Sequence, residues 1–197
     1  MITIEPHIRG LIFDCDGTLA DTMPMHYLAW QETVAQEGAV FPEPLFYELA
    51  GVPSDKIAEI LNEKFGYTLD PQKIAIQKEE KFLEKLPTTQ PIEVIVDIAR
   101  TYKGKMPMAV ATGGIPPITL PILKAIGLED FFDAVVTAED VVNGKPAPDV
   151  FLEAARRINI EPRYCQVFED SDLGLEGAVK AGMVATDIRP WYNRHSN

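Results

Sequence analysis

The chain has 197 residues, 46% hydrophobic and 24% charged, with a formal net charge of −12. That length suits one large domain or one domain with an insertion, and the acidic balance repels a phosphate backbone, which excludes nucleic acid as an expected partner. No apolar run approaches the roughly 18 residues of a membrane span, the start MITIEPHIRG lacks the pattern of a secretory signal, and the two distant cysteines, Cys15 and Cys165, give no disulfide framework and fit a reducing cytoplasm.

A buried strand is expected over 10–14 (GLIFD). Four helices follow it with no good strand between them, over 24–37, 43–50, 54–65 and 71–86. Ser54 or Asp55 is placed to cap the third, and the Asp70-Pro71 pair opens the fourth as N-cap and first turn. Beyond residue 90 the two kinds of element alternate: helix 92–103, strand 107–111, helix 117–126, strand 133–136, helix 147–159, strand 165–168, helix 172–181 and strand 184–187. The strand segments are too apolar to alternate strictly, as parallel strands covered on both faces are. This βαβ rhythm predicts an α/β fold, a doubly wound parallel sheet of Rossmann type. Residues 1–20 and 89–197 form the expected core, and 21–88 an inserted α-helical cap. An insertion at that end of a parallel sheet lies over the usual ligand crevice.

Four short motifs fall at strand ends. Asp14-Cys15-Asp16-Gly17-Thr18 sets two carboxylates after the first strand, with Gly17 allowing a sharp turn whose N–H groups are free for an anion. A plain turn also favours Asp, and Asp170-Ser171-Asp172 repeats the triple. Thr112-Gly113-Gly114, ahead of Pro116, offers a hydroxyl and bare N–H groups, either an anion site or a simple loop. In Gly144-Lys145-Pro146-Ala147-Pro148-Asp149 the prolines hold Lys145 near the sheet edge, where an isolated lysine is otherwise a solvated one. Phe168-Glu169-Asp170-Ser171 places adjacent acids that are costly without a cation, with helix capping by Asp170 or Ser171 as the alternative. Taken together, four strand ends converge on one crevice. They supply hard oxygen donors suited to Mg²⁺, one lysine and one hydroxyl. Mg²⁺ would let a carboxylate approach a phosphate dianion that it otherwise repels.

On DCDGT, the Thr of ATGG, the Lys of GKPAPD and FEDSDLG, in that order, the chain resembles the haloacid dehalogenase superfamily of phosphotransferases. His26 in MHYLAW and the LAGVPSDK stretch are similar to the β-phosphoglucomutase-like branch of sugar-phosphate phosphatases. The resemblance implies Asp14 as nucleophile and Asp16 as general acid and base. It implies Mg²⁺ held by the Asp14 side chain, the Asp16 carbonyl and Asp170, with Glu169 in or beside the shell. Thr112 and Lys145 would hold phosphoryl oxygens, and Gly17, Gly113, His26 and Lys78 would join the substrate site. The dehalogenases that name the superfamily work without metal and lack the second aspartate, so Asp16 with Glu169-Asp170 argues for phosphoryl chemistry.

The implied activity is Mg²⁺-dependent hydrolysis of a small phosphorylated metabolite, a sugar phosphate by resemblance, through an aspartyl-phosphate. The alternative is a β-phosphoglucomutase-type mutase, which needs cations for a distal phosphate. Ala50 and Ser54 stand where those cations would be, and Gly113, Gly114, Ile115 and Pro116 bring none, so a hydrolase is expected. A receiver domain is a poorer match, because it has neither the DCDGT pair nor a large helical insertion. His26 is placed either to meet Asp16 or substrate on cap closure, or to sit on a helix surface. Lys78 lies where related caps carry a lysine facing the site, but QKEEKFLEK reads more simply as a solvated helix with i,i+4 pairs. Trp30 and Tyr27 read as cap core and Cys15 as a small apolar residue. A monomer is expected, since a cap must swing.

Overall fold

Five strands form one sheet: β1 (Gly10–Phe13), β2 (Met108–Ala111), β3 (Ala134–Val136), β4 (Cys165–Glu169) and β5 (Val184–Asp187). The computed structural model describes residues 2–192, so residues 1 and 193–197 of the expected core lie outside the described residues. The strand order is β3-β2-β1-β4-β5 and every pairing is parallel. All residues of β1, β2 and β4 are buried, which is why their sequences are continuously apolar. Leu11 and Phe13 of β1 face α5 (Glu93–Tyr102) and α6 (Pro116–Ala125). Ile12 faces the other way, onto α7 (Asp149–Arg157) and α8 (Asp172–Lys180). One strand thus anchors both layers. From β3 at one edge the chain crosses to β4 beside β1, so the strand order reverses at the carboxyl end of β1, the usual place for a ligand crevice.

Four helices separate β1 from α5: α1 (Met23–Gln36), α2 (Glu43–Glu48), α3 (Ser54–Phe65) and α4 (Pro71–Lys85). They surround an apolar cluster of their own that includes Trp30, Phe41, Phe46, Leu61 and Ile74. Two lysines of α4 act between helices: Lys73 pairs at 2.7 Å with Glu37, the residue that ends α1, and Lys85 at 2.8 Å with Glu32 of α1. The chain leaves and re-enters the sheet layer through adjacent segments, Asp21 donating to the Gln90 carbonyl and Ile92 to that of Leu19, both at 2.9 Å.

Elements begin and end within two residues of the expected positions. Asp70 caps α4 as predicted, accepting from the N–H groups of Gln72 and Lys73. Neither Ser54 nor Asp55 caps α3. Pro53 holds that place, and the Ser54 hydroxyl donates instead to Glu79 Oε1 at 2.9 Å, a charged acceptor from α4. Among the described residues no helix is long and apolar enough to cross a membrane.

Candidate active site

Asp14 continues the ladder one step beyond β1, its N–H donating to the Phe168 carbonyl at 3.0 Å. Its carboxylate therefore emerges between the ends of β1 and β4. The chain then turns tightly, with the Cys15 carbonyl accepting from Leu19 and Ala20 at 3.0 Å. Gly17 has φ of +80°, a conformation that favours glycine. Its N–H donates to the Ala20 carbonyl at 2.8 Å, which corrects the expectation of a free donor there: Gly17 shapes the loop and does not hold the anion. Cys15 is fully buried, and burial, then the flanking carboxylates, push its thiol well above the ordinary range. It packs as a small apolar residue, as expected.

Lys145, Asp14 and Glu169 meet in the interior. Lys145 Nζ lies 2.7 Å from Asp14 Oδ1 and 2.8 Å from Glu169 Oε1. The expected solvated alternative for Lys145 fails, because its side chain is only 2% exposed. Glu169 is saturated: Oε1 also accepts from the Ser171 hydroxyl, and Oε2 accepts the N–H groups of Asp170 and Ser171. The Ser171 hydroxyl in turn accepts from the Gly174 N–H and caps α8, so of the two candidate caps it is the serine. A side chain at Gly174 is impossible without displacement, since its Cβ would lie 1.7 Å from Glu169 Oε1. Asp170 Oδ1 accepts from the Thr18 hydroxyl at 3.0 Å.

Burial, Glu169 and Asp16 push the Asp14 carboxyl up from 3.8 to about 7 even though Lys145 opposes them. Burial works against the Lys145 ammonium, but Asp14 and Glu169 outweigh it and hold its pKa above the ordinary value. Negative charge thus exceeds what one lysine balances. Carboxylate oxygens of Asp14, Glu169 and Asp170 lie within 4.8 Å of one another, a donor set of hard oxygens that fits a divalent cation. With Glu169 committed to its four donors, Asp14 and Asp170 are the carboxylates left to hold one.

Thr112 follows β2 and is buried. Its hydroxyl oxygen accepts from the Gly114 N–H at 3.0 Å, which leaves its own proton to point elsewhere. Gly113 lies close to the insertion, 3.6 Å separating its would-be Cβ from the Gly51 carbonyl.

Asp16 belongs to a different network. Its Oδ1 accepts from the Thr22 hydroxyl at 2.6 Å and from His26 Nε2 at 3.0 Å. Lys78 Nζ is 2.8 Å from His26 Nδ1. An ammonium only donates, so Nδ1 carries the lone pair and Nε2 the proton. Burial, then Lys78, depress the His26 pKa and keep the ring neutral. Burial raises that of Asp16, but the His26 and Thr22 bonds more than offset it and leave it below the ordinary value. The His26 ring stacks on Phe82 at 3.8 Å, so the surface alternative is excluded. The solvated reading of Lys78 is likewise overturned. It is 4% exposed, with Nζ 5.5 Å from the Phe82 ring, 6.0 Å from that of Trp30 and 2.9 Å from Glu79 Oε1. It faces α1, not solvent.

Both networks line one cavity of about 600 Å³. Asp14, Asp16, Thr112, Gly113, Lys145, Glu169 and Asp170 form one side, while the insertion contributes His26, Trp30, Ile57, Ile76, Lys78 and Leu83. Trp30 is therefore both insertion core and cavity wall. Thr18, Thr22, Gly174 and Glu79 are not legible as site residues from the sequence, and Ser171 only as a candidate cap. Thr18, Ser171 and Gly174 stand inside the quoted motifs, Thr22 is a buried polar residue before a helix, and Glu79 carries no signal in a run of mixed charge.

A central parallel strand followed by two aspartates, with a threonine and an acidic pair from neighbouring strand ends and a lysine from the loop between β3 and α7, defines a hydrolase of the phosphoryl-transfer type. The chain belongs to the haloacid dehalogenase-like hydrolase family, whose profile matches residues 11–187. It is 41% identical over 181 residues to the fructose-1-phosphate phosphatase YqaB of Escherichia coli, covering 91% of this chain and 96% of that one. It is 32% identical over 180 residues to a phosphorylated carbohydrates phosphatase of Thermotoga maritima, covering 89% and 82%. Among solved structures, CbbY from Rhodobacter sphaeroides in complex with xylulose-(1,5)bisphosphate matches with a TM-score of 0.83 at 25% identity, over 96% of this chain and 90% of that one. The protein is accordingly a phosphoric monoester hydrolase of the haloacid dehalogenase type.

Proposed function

We propose that the protein is a Mg²⁺-dependent phosphatase of a small sugar monophosphate, working through an aspartyl-phosphate on Asp14. The observation that carries this reading is the Asp14 carboxylate at the end of the central strand, one oxygen held by Lys145 at 2.7 Å, with a carboxylate oxygen of Asp170 within 4.8 Å of one of Asp14's. Residues 21–88 act as a cap over the core formed by the rest of the chain. The sugar-phosphate assignment draws on the two relatives that are named for such substrates.

Asp14 Oδ1 is fixed by Lys145, so Oδ2 is the oxygen that attacks phosphorus. Asp16 first takes a proton from solvent, against the lowered pKa that its bonds to His26 and Thr22 give it, and as the P–O ester bond breaks it passes that proton to the departing alkoxide. Water then attacks the aspartyl-phosphate, Asp16 takes its proton, and phosphate leaves with Asp14 restored. The Thr112 hydroxyl and the Lys145 ammonium bind equatorial phosphoryl oxygens, and Glu169 keeps Lys145 in place. Asp14, the Asp16 carbonyl and Asp170 would hold a divalent cation, which would supply charge neutralisation between the phosphate dianion and the Asp14 carboxylate. His26 and Thr22 orient the Asp16 carboxyl.

Ser54 bonded to Glu79, in place of a cation, favours hydrolysis over mutase chemistry. The test is phosphate release from p-nitrophenyl phosphate and from fructose 1-phosphate, with Mg²⁺ and with a chelator. Release that needs the cation and vanishes in Asp14→Asn supports the reading. Release that continues without divalent cation, or in that variant, overturns it.

A further inference from the structure

The insertion presents an unusual wall to the cavity. Ser54 opens α3 and Glu79 lies on α4, and both line the cavity that contains Asp14. Ser54 Oγ donates its single proton to Glu79 Oε1. The same oxygen takes Lys78 Nζ, whose other bond goes to His26. Glu79 Oε2 is buried and has no hydrogen-bond partner among the described residues. The Ser54 and Lys78 donors are thus already directed at protein acceptors. What Ser54 retains toward the cavity is lone pairs, because a hydroxyl carries one proton and two acceptor positions.

Charge agrees with this donor count. On the insertion side the lining residues with formal charge are Asp55, Lys78, Glu79 and Glu80, three acids and one lysine. The lysine is engaged by His26 and Glu79. A second anionic group entering here would meet acceptors and like charge, and a mismatch of that kind is how sites reject competitors. A hydroxyl would meet an acceptor whose orientation is fixed by a carboxylate.

We propose that the Ser54–Glu79 pair determines specificity, Ser54 accepting a hydroxyl from the polyol end of the substrate and Glu79 positioning Ser54 and turning away a second phosphate or a carboxylate. The substrate class is then a neutral polyhydroxy monophosphate ester, distinct from sugar bisphosphates and phosphorylated carboxylic acids. This rests on the phosphatase reading above and makes it more specific.

The experiment compares kcat/KM for fructose 1-phosphate, fructose 1,6-bisphosphate and phosphoglycolate, with p-nitrophenyl phosphate as a reference ester without hydroxyls. The wild-type protein prefers fructose 1-phosphate over each competitor that carries a second anionic group by about 100-fold. Glu79→Gln removes the charge but keeps the shape, and shrinks that preference by about tenfold, chiefly through a lower KM for the bisphosphate. Glu79→Asp, which keeps the charge, retains the preference. Ser54→Ala, should the Gln variant fail to fold, lowers kcat/KM for fructose 1-phosphate by about tenfold relative to p-nitrophenyl phosphate. Wild-type turnover of the bisphosphate within about tenfold of the monophosphate, or an unchanged preference in Glu79→Gln, overturns the proposal and leaves the phosphatase reading standing. A wild-type protein inert toward every ester, p-nitrophenyl phosphate included, overturns both.

Discussion

The two sides of the cavity are built on opposite principles. The strand-end side is a closed polar network: Lys145 spans Asp14 and Glu169, and Glu169 has no acceptor position to spare. Asp14 and Glu169 stand at the ends of β1 and β4, strands paired on both sides, and Lys145 reaches them from the loop between β3 and α7. The insertion side is mainly apolar, with Glu79, Lys78 and His26 drawn into one line that ends on Asp16. The difference teaches a division of labour. On the proposed function, chemistry common to any ester falls on the strand-end side, and the reading of what the ester carries falls to helices whose core is their own.

That contrast predicts that strand-end substitutions destroy turnover and insertion substitutions redistribute it. Asp14→Asn should lower kcat by at least about 10⁴-fold while circular dichroism and Tm stay near wild type, because the nucleophile is lost and the shape is kept. Asp16→Asn should slow both formation and breakdown of the phosphoenzyme, by about 10²–10⁴-fold in steady state. Rapid-quench measurement of the intermediate checks this, and an unchanged lifetime would remove Asp16 from its acid and base roles. Lys145→Met strands two buried carboxylates and should cost about 3–5 kcal/mol of stability by urea unfolding.

Next in size is a linked effect of pH and cation. Without cation, the Asp14 pKa is raised from 3.8 to about 7, so between those values the native state holds a proton that the unfolded chain has lost. The stability this group contributes is present below pH 3.8 and is lost as pH rises toward 7. Asp16, whose pKa is depressed, contributes in the opposite sense and loses its share as pH falls. The Tm difference between wild type and Asp14→Asn isolates the first group, and it should fall across pH 4 to 7. Mg²⁺ at about 100 times its Kd should add about 2.7 kcal/mol, roughly 5–10 °C in Tm, to the wild type and much less to Asp14→Asn. Equal responses would break the assignment of the cation to Asp14. The smallest expected effect belongs to the wall. Ile76→Ser, at a residue 60% exposed, should shift stability by no more than about 0.5 kcal/mol and act on KM more than on kcat.

The sheet was legible because its strands are short apolar runs that end in motifs, and the helices because Asp70-Pro71 and similar signals open them. The four strand-end motifs named Asp14, Asp16, Thr112, Lys145, Glu169 and Asp170, and all of them line one cavity. What stayed hidden depends on partners distant in sequence. Lys78 sits in a run whose charges suggest solvent, yet it is buried by aromatic rings and a histidine 52 positions away. Ser54 reads as a cap until a carboxylate 25 positions on claims its proton. Gly17 looked like an anion donor because the sequence does not reveal that its N–H closes its own loop. In each case local propensity was correct in kind and tertiary competition chose the partner.

The bonds that unite the strand ends join residues remote along the chain: 131 positions separate Lys145 from Asp14, and 152 separate Asp170 from Thr18. High contact order of this sort slows folding, since each closure must be paid in chain entropy before any contact rewards it. It also means that a ribosome must deliver most of the polypeptide before the first aspartate gains its lysine. No shortened translation product ending ahead of residue 145 would carry a working half of the machinery.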